Sequence, residues 1–207
     1  MDWYVVDKKY INYLTQFDFR VGYVEYGERL KLHVGILLTI GDFRYYVPIS
    51  SAKPKHQKMS NSLDFHKLQD ESTGYLYAVL NINNMIPVPD NCLTQLKYNQ
   101  VESFRSFSNE KEKTDYVYLL QKEKALIDNV QDTLQNKAMK LYQKCIAKPD
   151  SSLAARCCNF KMLEKKMQFL FRYINKTMII QTSPSAGEVF FLKNKNSLPS
   201  YTRSSLP

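Results

Sequence analysis

Residues 31–56 read KLHVGILLTIGDFRYYVPISSAKPKH, and the architecture turns on this stretch. From Lys31 to Ile40 the apolar residues alternate. Leu32, Val34, Ile36, Leu38 and Ile40 share one face, and Lys31, His33, Gly35, Leu37 and Thr39 share the other. A period of two predicts a half-buried strand. Gly41-Asp42 is a tight hairpin signal. The chain then returns over Phe43–Ile49, with Phe43, Tyr45, Val47 and Ile49 on one face. Pro48 has no N–H to give to a ladder, so this strand end is expected at an edge or a bulge.

Toward the N-terminus, Trp3–Val6 is a short β-rich run. Asp7 can cap a helix over roughly residues 8–17, with Tyr10, Leu14 and Phe17 on one face. Residues 18–30 read as a loop. Toward the C-terminus a polar loop, Ser50–Ser62, precedes short strands near Phe65–Leu68, Tyr75–Ile82 and Met85–Val88, with Pro87 and Pro89 marking the end of the sheet. Residues 90–110 have no decisive period and are open between a further strand and a loop. The period then becomes helical: Leu120, Ile127, Leu134 and Leu141 recur every seven residues, with Tyr116, Val130, Ala138 and Cys145 in the adjoining stripe. One long helix over about 113–148 is predicted, stopped by Pro149-Asp150. A last short helix follows Asn159, carrying Phe160, Leu163, Met167 and Leu170. The fold class is α+β. Beyond Phe171 the composition shifts to Ser, Asn, Lys and Pro, which predicts a domain over 1–171 and a loosely ordered basic tail over 172–207.

The chain has 207 residues, 44% hydrophobic and 24% charged, a globular composition sized for one domain plus an appendage. No apolar run is long enough to span a bilayer. The opening MDWYVVDKK has an acid at position 2 and no apolar stretch of the kind a secretory signal needs. Cys92, Cys145, Cys157 and Cys158 are unevenly spaced, neither a disulfide framework nor a metal site, and burial is expected for the adjacent pair. These features predict a reduced, cytoplasmic protein without membrane association. Net charge is +9, but residues 1–150 hold 20 Lys/Arg against 18 Asp/Glu, and residues 151–207 hold 9 against 2. The whole-chain charge is therefore weak evidence for a polyanionic partner. The local balance says more: residues 43–63 contain no acid and carry Arg44, Lys53, Lys55, His56 and Lys58.

Within that acid-free window Ser50, Ser51, Lys53 and His56 lie just past a predicted strand end. Hydroxyls donate hydrogen bonds to a phosphate and an ammonium supplies charge; the same set can stabilise a phosphorane. The hairpin turn lies at the far end from both Lys31 and Ser50, so these two meet at one end of the sheet. The alternative is a solvated Ser/Lys loop. His56, among basic residues, is expected to be neutral near pH 7. His33 and His66, each alone on a strand, read as satisfied structural histidines. No carboxylate pair or HExxH pattern offers a metal site, and no glycine-rich loop offers a nucleotide site. Tyrosines near the basic loop can stack on bases.

The opening YVVDKKYINYLTQFD, the strand pair KLHVGILLTIGDFRYYVPISSAKPKH, the segment AVLNINNMIPVP and the late CCNFKMLEKK, in this order, resemble the ToxN/AbiQ family. These are endoribonuclease toxins of type III toxin–antitoxin and phage abortive-infection systems. The resemblance covers about residues 1–171. It implies an antiparallel, partly closed β-barrel core with helices around it. It implies cleavage of RNA without metal or other cofactor, inhibition by a small RNA pseudoknot encoded in repeats, and a protein–RNA assembly that can close into a ring. The family's hydroxyl pair with a Lys two residues on falls on Ser50, Ser51 and Lys53, and its Lys at the head of the preceding strand on Lys31. Ser-Ser stands where Thr-Ser is common, and Pro54 follows Lys53.

A sequence-preferring endoribonuclease follows, in which the RNA 2′-hydroxyl attacks the neighbouring phosphate and leaves a 2′,3′-cyclic phosphate and a 5′-hydroxyl. Ser51 positions or deprotonates that hydroxyl, and Lys31 and Lys53 stabilise the phosphorane. Serine alone is a poor base, so a Lys with lowered pKa or His56 is a candidate for proton transfer. Lys55, His56, Lys58, Arg44, Tyr26 and Tyr116 are candidate RNA contacts; mRNA and the antitoxin's precursor RNA are the expected substrates. The rival readings are a non-catalytic RNA-binding regulator using the same groove and an interaction protein built on the long helix.

Overall fold

In chain order the strands are β1 (Asp2–Val6), β2 (Glu25–Tyr26), β3 (Arg29–Leu30), β4 (Leu32–Ile40), β5 (Phe43–Ser51), β6 (Phe65–Gln69), β7 (Leu76–Asn81), β8 (Ile86–Pro87) and β9 (Leu93–Gln95). The helices are α1 (Lys8–Thr15), α2 (Pro54–Gln57), α3 (Glu110–Asn129), α4 (Gln131–Ala147), α5 (Ser152–Ala155) and α6 (Phe160–Gln181). The structure is a computed structural model that describes residues 1–22, 25–26, 29–30 and 32–181. Two units are distinguished, Met1–Met167 and Gln168–Pro207. The first holds the whole sheet; the second is helical as far as Gln181.

The main sheet is antiparallel and runs β6-β7-β5-β4-β1-β9, with β8 added to β5; β2 and β3 form a separate ribbon. No pairing joins β6 to β9 among the described strands, so the sheet does not close on itself. The β4–β5 hairpin forms as read, turning at Gly41, whose φ of 54° is the left-handed conformation that a tight turn asks of glycine.

Two details of this hairpin depart from the alternation. His33 and Val34 face Pro48 and Val47, but Leu38 already faces Tyr45, so the register slips between Val34 and Leu38. The irregularity buries Leu37 and Leu38 side by side, and β4 is buried on both faces rather than one. Gly35 lies where Tyr46 packs: an added Cβ would come within 2.1 Å of Tyr46 Cε1, so only glycine admits the ring. Nor is β5 an edge. β8 lies opposite Tyr45 and Tyr46, β7 lies opposite Ile49, Ser50 and Ser51, and Pro48 falls where one neighbour gives way to the other. A residue without an N–H is tolerated there because the ladder is already interrupted.

The long helix of the sequence reading is two helices. Val130, with φ −116° and ψ 16°, breaks the chain between α3 and α4. Asn129 and β-branched Val130 are both weak helix formers. The stripe of Leu120, Ile127, Leu134 and Leu141 is buried on both sides of the break. α3 packs on β6 and β7, and α4 packs on β4. Each such leucine or isoleucine contributes roughly 1.5–3 kcal/mol of burial.

Several polar anchors fix these layers. Asp7 caps α1 through the Tyr10 N–H at 3.0 Å, as its position suggested, and Asn159 caps α6 through the Met162 N–H at 3.1 Å. Tyr45 of β5 and Tyr142 of α4 both donate to Glu164 Oε1 of α6, at 2.8 and 2.6 Å, and Lys161 Nζ takes the other oxygen at 2.9 Å. α6 continues through Gln181, ten residues past Phe171, and so takes in Met178, Ile179 and Ile180. None of the four cysteines is in a disulfide; Cys145, Cys157 and Cys158 are buried.

Candidate active site

Ser50 and Ser51 are the last two residues of β5, not residues beyond it. They pair with Val79 and Ala78 of β7. Successive residues of a strand point to opposite faces, so the two hydroxyls diverge. Ser50 shares its face with Val79 and with Lys67, which stands opposite Val79 on β6. It is half-buried and accepts a hydrogen bond from Asn81 Nδ2 at 3.2 Å. Ser51 is exposed on the other face. That face also carries Ala78 and Leu80 of β7 and His66 of β6.

Past Ser51 the chain bends over the Ser50 face. Ala52 packs against the cluster of Phe65, Leu76 and Val79. Lys53, extended at φ −126° and ψ 157°, is the residue before α2, and Pro54 begins that helix, where a missing N–H costs nothing. The His56 N–H donates to the Lys53 carbonyl at 2.8 Å, and the Lys53 N–H donates to His56 Nδ1 at 3.1 Å. His56 is buried against the Phe65 ring, 5.9 Å between centroids. Burial first, then Lys55 and Lys53, holds it below its ordinary 6.5. With Nδ1 used as an acceptor, the neutral ring carries its proton on Nε2. The imidazole therefore shapes the backbone that presents Lys53.

Lys53, Lys55 and Lys58 are exposed, and no carboxylate pairs with them among the described residues. The nearest acid in sequence, Asp64, is buried and bound by Arg156, with Ser62 Oγ donating at 2.8 Å. Burial works to raise its pKa, but the Arg156 and Ser62 hydrogen bonds win and hold it below the usual value. Its charge is thus spent inside the fold, and the loop stays positive. Lys67 adds a cation that sequence reading missed: its Nζ lies 3.4 Å from the Gln57 carbonyl of α2. Asn81 was missed as well. Both were legible as strand residues, but nothing in the sequence says that β7 and β6 lie beside the end of β5.

Other neighbours surround the remaining candidates. Arg44 sits at the hairpin end of β5, opposite Thr39, and its Nη1 lies 2.8 Å from each oxygen of Asp90. Seven residues of strand separate it from Ser51, about 23 Å. Tyr116, on α3, lies against the Arg105 guanidinium at 4.6 Å and the Phe107 ring at 5.5 Å. Tyr26 pairs with Arg29 in the β2–β3 ribbon. Lys31 lies outside the described residues. His66 is buried, with Lys137 Nζ 3.1 Å from its Nδ1. Burial and Lys137 push His66 down to about 4, and burial also lowers Lys137. A lysine of lowered pKa therefore exists on the Ser51 side of the sheet, bound to His66.

Among the described residues no group of three or more His, Cys, Asp or Glu could hold a metal ion, and no helix is long and apolar enough to cross a membrane. A cleft of about 230 Å³ lined by Arg20, Cys145, Cys157, Cys158, Phe160 and Lys161 draws no residue from the 43–81 stretch. Burial pushes the Cys157 thiol up, so it offers no nucleophile.

Known proteins share this arrangement of chain. The chain is 28% identical to the endoribonuclease AbiQ of Lactococcus lactis subsp. lactis over 172 residues, 79% of this chain and 85% of that one. It is 27% identical to the endoribonuclease ToxN of Bacillus thuringiensis subsp. kurstaki, covering 80% and 81%. The solved structure of AbiQ, a lactococcal anti-phage endoribonuclease of a type III toxin–antitoxin system, matches with a TM-score of 0.70 at 26% identity, covering 83% of this chain and 98% of that one. A second structure, of a type III system with selective toxin inhibition by a non-coding RNA pseudoknot, matches with a TM-score of 0.68 at 27% identity over 81% and 95%. The family model for toxin ToxN of type III toxin–antitoxin systems spans residues 2–168, the whole of the sheet and the helices that cover it, and the chain belongs to that family.

Proposed function

We propose that this chain cleaves RNA at the end of β5, with Ser51 and Lys53 at the scissile phosphate. As a member of a family of endoribonuclease toxins it is an endoribonuclease, which sets aside the reading as a non-catalytic RNA-binding regulator. The observation that supports the placement is that Ser51 and Lys53, two residues apart at the end of β5, are both exposed and run into a loop with no acid to compete for its cations. The 2′-hydroxyl of the nucleotide attacks the adjoining phosphorus. Its bond to phosphorus forms as the bond to the 5′-oxygen breaks, and its proton leaves to a base while the 5′-oxygen gains one. Ser51 Oγ orients the 2′-hydroxyl, and Lys53, joined by Lys31, neutralises the phosphorane. Ser50, held by Asn81, supports the strand end from the opposite face. Lys55, Lys58 and Lys67 guide the backbone electrostatically, and His56 positions Lys53.

The products are a 2′,3′-cyclic phosphate and a 5′-hydroxyl. The physiological setting is the cytoplasm of a phage-infected bacterium, with mRNA and the antitoxin's precursor RNA as substrates. A pseudoknot RNA is the inhibitor, and the complex with it closes into a ring. Residues 1–171 form the ribonuclease domain and the basic 172–207 segment adds only non-specific attraction. Incubation of the purified chain with mixed RNA, followed by end analysis, tests the chemistry. Discrete fragments with a cyclic phosphate at the upstream 3′ end are expected; a free 3′-hydroxyl would rule out attack by the 2′-oxygen.

A further inference from the structure

We propose that Tyr75 and Tyr77 form a stacking step for one base of the RNA next to the cleaved phosphate. The inference rests on Ser51 and Lys53 holding that phosphate, and it adds the neighbouring base to it.

The two rings meet edge to face, 4.6 Å between centroids at 75°. Tyr75 is 61% exposed, among the most exposed large hydrophobic residues of the protein. The rings stand beside the candidate site because β7 is the partner of β5. Ala78 pairs with Ser51, and the next residue, Ala52, donates its N–H to the Tyr77 carbonyl at 3.4 Å. The side of the sheet follows from a register shift. Leu68 faces Ala78, but Gln69 faces Leu76, so Tyr77 is the extra residue of a bulge. Leu76 packs with Phe65, Val79 and Ala52 on the Ser50 side. Its neighbour Tyr75, and Tyr77 against it, stand on the opposite side, which is that of Ser51.

The mount is rigid. Between β6 and β7 the chain turns through Gly74, at φ 70°. Asp70 Oδ1 accepts from the Ser72 and Thr73 N–H groups at 2.9 and 3.0 Å, and the Gly74 N–H donates to the Asp70 carbonyl at 2.8 Å. Tyr75 is fixed at both backbone groups: its N–H reaches Thr73 Oγ1 at 3.3 Å and its carbonyl accepts from the Asp70 N–H at 2.9 Å. An exposed aromatic ring on a hydrogen-bonded turn loses little conformational freedom when a base stacks on it. Any base offers a π-face to such a ring. Asp70 and Glu71 lie in the same turn and disfavour a phosphate at the rings themselves. The cations at Lys53, Lys55 and Lys58 take the phosphates, and the tyrosines take an uncharged base.

The probe is a short single-stranded RNA containing a cleaved sequence, with a 2′-O-methyl group at the scissile position so that binding is read without turnover. Tyr75→Ala should weaken binding about 5- to 100-fold, and in the cleavable RNA raise KM with kcat retained. Tyr75→Phe should restore both. The slope of affinity against salt should be unchanged in Tyr75→Ala, whereas Lys55→Ala with Lys58→Ala should make it shallower. An abasic nucleotide walked along the RNA should weaken wild-type binding at one position flanking the cleavage site and have no further effect there in Tyr75→Ala. Wild-type affinity in Tyr75→Ala, or abasic losses that are the same in both proteins at every position, would overturn the proposal. Neither result bears on Ser51, whose own failure would appear as cleavage by Ser51→Ala.

Discussion

His56 Nδ1 accepts the Lys53 N–H at 3.1 Å, and the His56 N–H is returned to the Lys53 carbonyl at 2.8 Å. This reciprocal pair fixes the direction in which the chain leaves β5, and so where the Lys53 ammonium can reach. The bond from Lys53 requires a neutral imidazole. Burial and two neighbouring lysines keep it so by holding His56 below 6.5. His56→Ala should lower cleavage substantially, whereas His56→Asn, whose side-chain oxygen can take the place of Nδ1, should retain most of it. Equal losses in the two variants, measured as kcat/KM on one RNA, would remove the positioning role.

The same histidines set an acid limit on stability. The folded pKa values of His56 and His66 lie below their ordinary 6.5, at about 4 for His66. The unfolded chain therefore binds more protons over that interval, and stability rises with pH through it. It should be full above about pH 6.5 and fall as the pH drops toward 4. Thermal melts of the wild type and His66→Gln across this range check the sign: the variant's melting temperature should depend less on pH.

Glu123 gives the opposite slope. Burial alone raises its pKa from 4.5 to about 7. The native state then holds a proton that the unfolded chain releases, and this contribution, full below about 4.5, is lost as the pH rises through 7. Glu123→Gln should match the wild type near pH 4.5 and melt several degrees higher at pH 8. A variant no more stable than wild type at pH 8 would contradict the burial cost.

Ser50 and Ser51 should separate cleanly, since they face opposite sides of the sheet. Ser51→Ala removes an exposed hydroxyl and should cost less than about 0.5 kcal/mol of stability, while abolishing cleavage and growth arrest with RNA affinity retained. Ser50→Ala leaves Asn81 Nδ2 without its acceptor and should cost about 0.5–1.5 kcal/mol, with partial activity. Full toxicity of a well-expressed Ser51→Ala chain would place the chemistry elsewhere.

Cleavage should survive excess EDTA, because the proposed stabilisation of the phosphorane comes from ammonium groups and a hydroxyl. Loss of cleavage that magnesium restores would show that a metal carries that charge.

A chain ending at Gln181 lacks Lys193, Lys195, Arg203 and Glu188, a net loss of two positive charges. It should fold, cleave with the same sequence preference and bind RNA with a slightly shallower salt dependence. Aggregation of the shortened chain, or a large drop in melting temperature, would show that the removed residues belong to the fold.

The sequence by itself determined the local elements. Strict alternation and Gly41 defined the β4–β5 hairpin, Asp7 and Asn159 marked helix starts, and seven-residue spacing marked the face that α3 and α4 bury. It also determined that residues 43–63 carry cations without acids, because charge composition is a property of the chain alone. Tertiary structure decided what periodicity cannot register. A single residue, Val130, divides one apolar stripe into two helices without disturbing the repeat. The slip between Val34 and Leu38 buries both faces of β4, and the change of neighbour at Pro48 puts a proline inside the sheet. Most of all, strand order decided what surrounds Ser50 and Ser51. Ser50 and Ser51 point apart because β5 stays extended to its last residue. Asn81, Lys67 and the Tyr75–Tyr77 pair stand beside them because β7 and β6 continue the sheet from β5. Those partners lie 16 to 31 residues away in the chain, and pairing between distant strands is chosen by the packing of the whole core rather than by either segment.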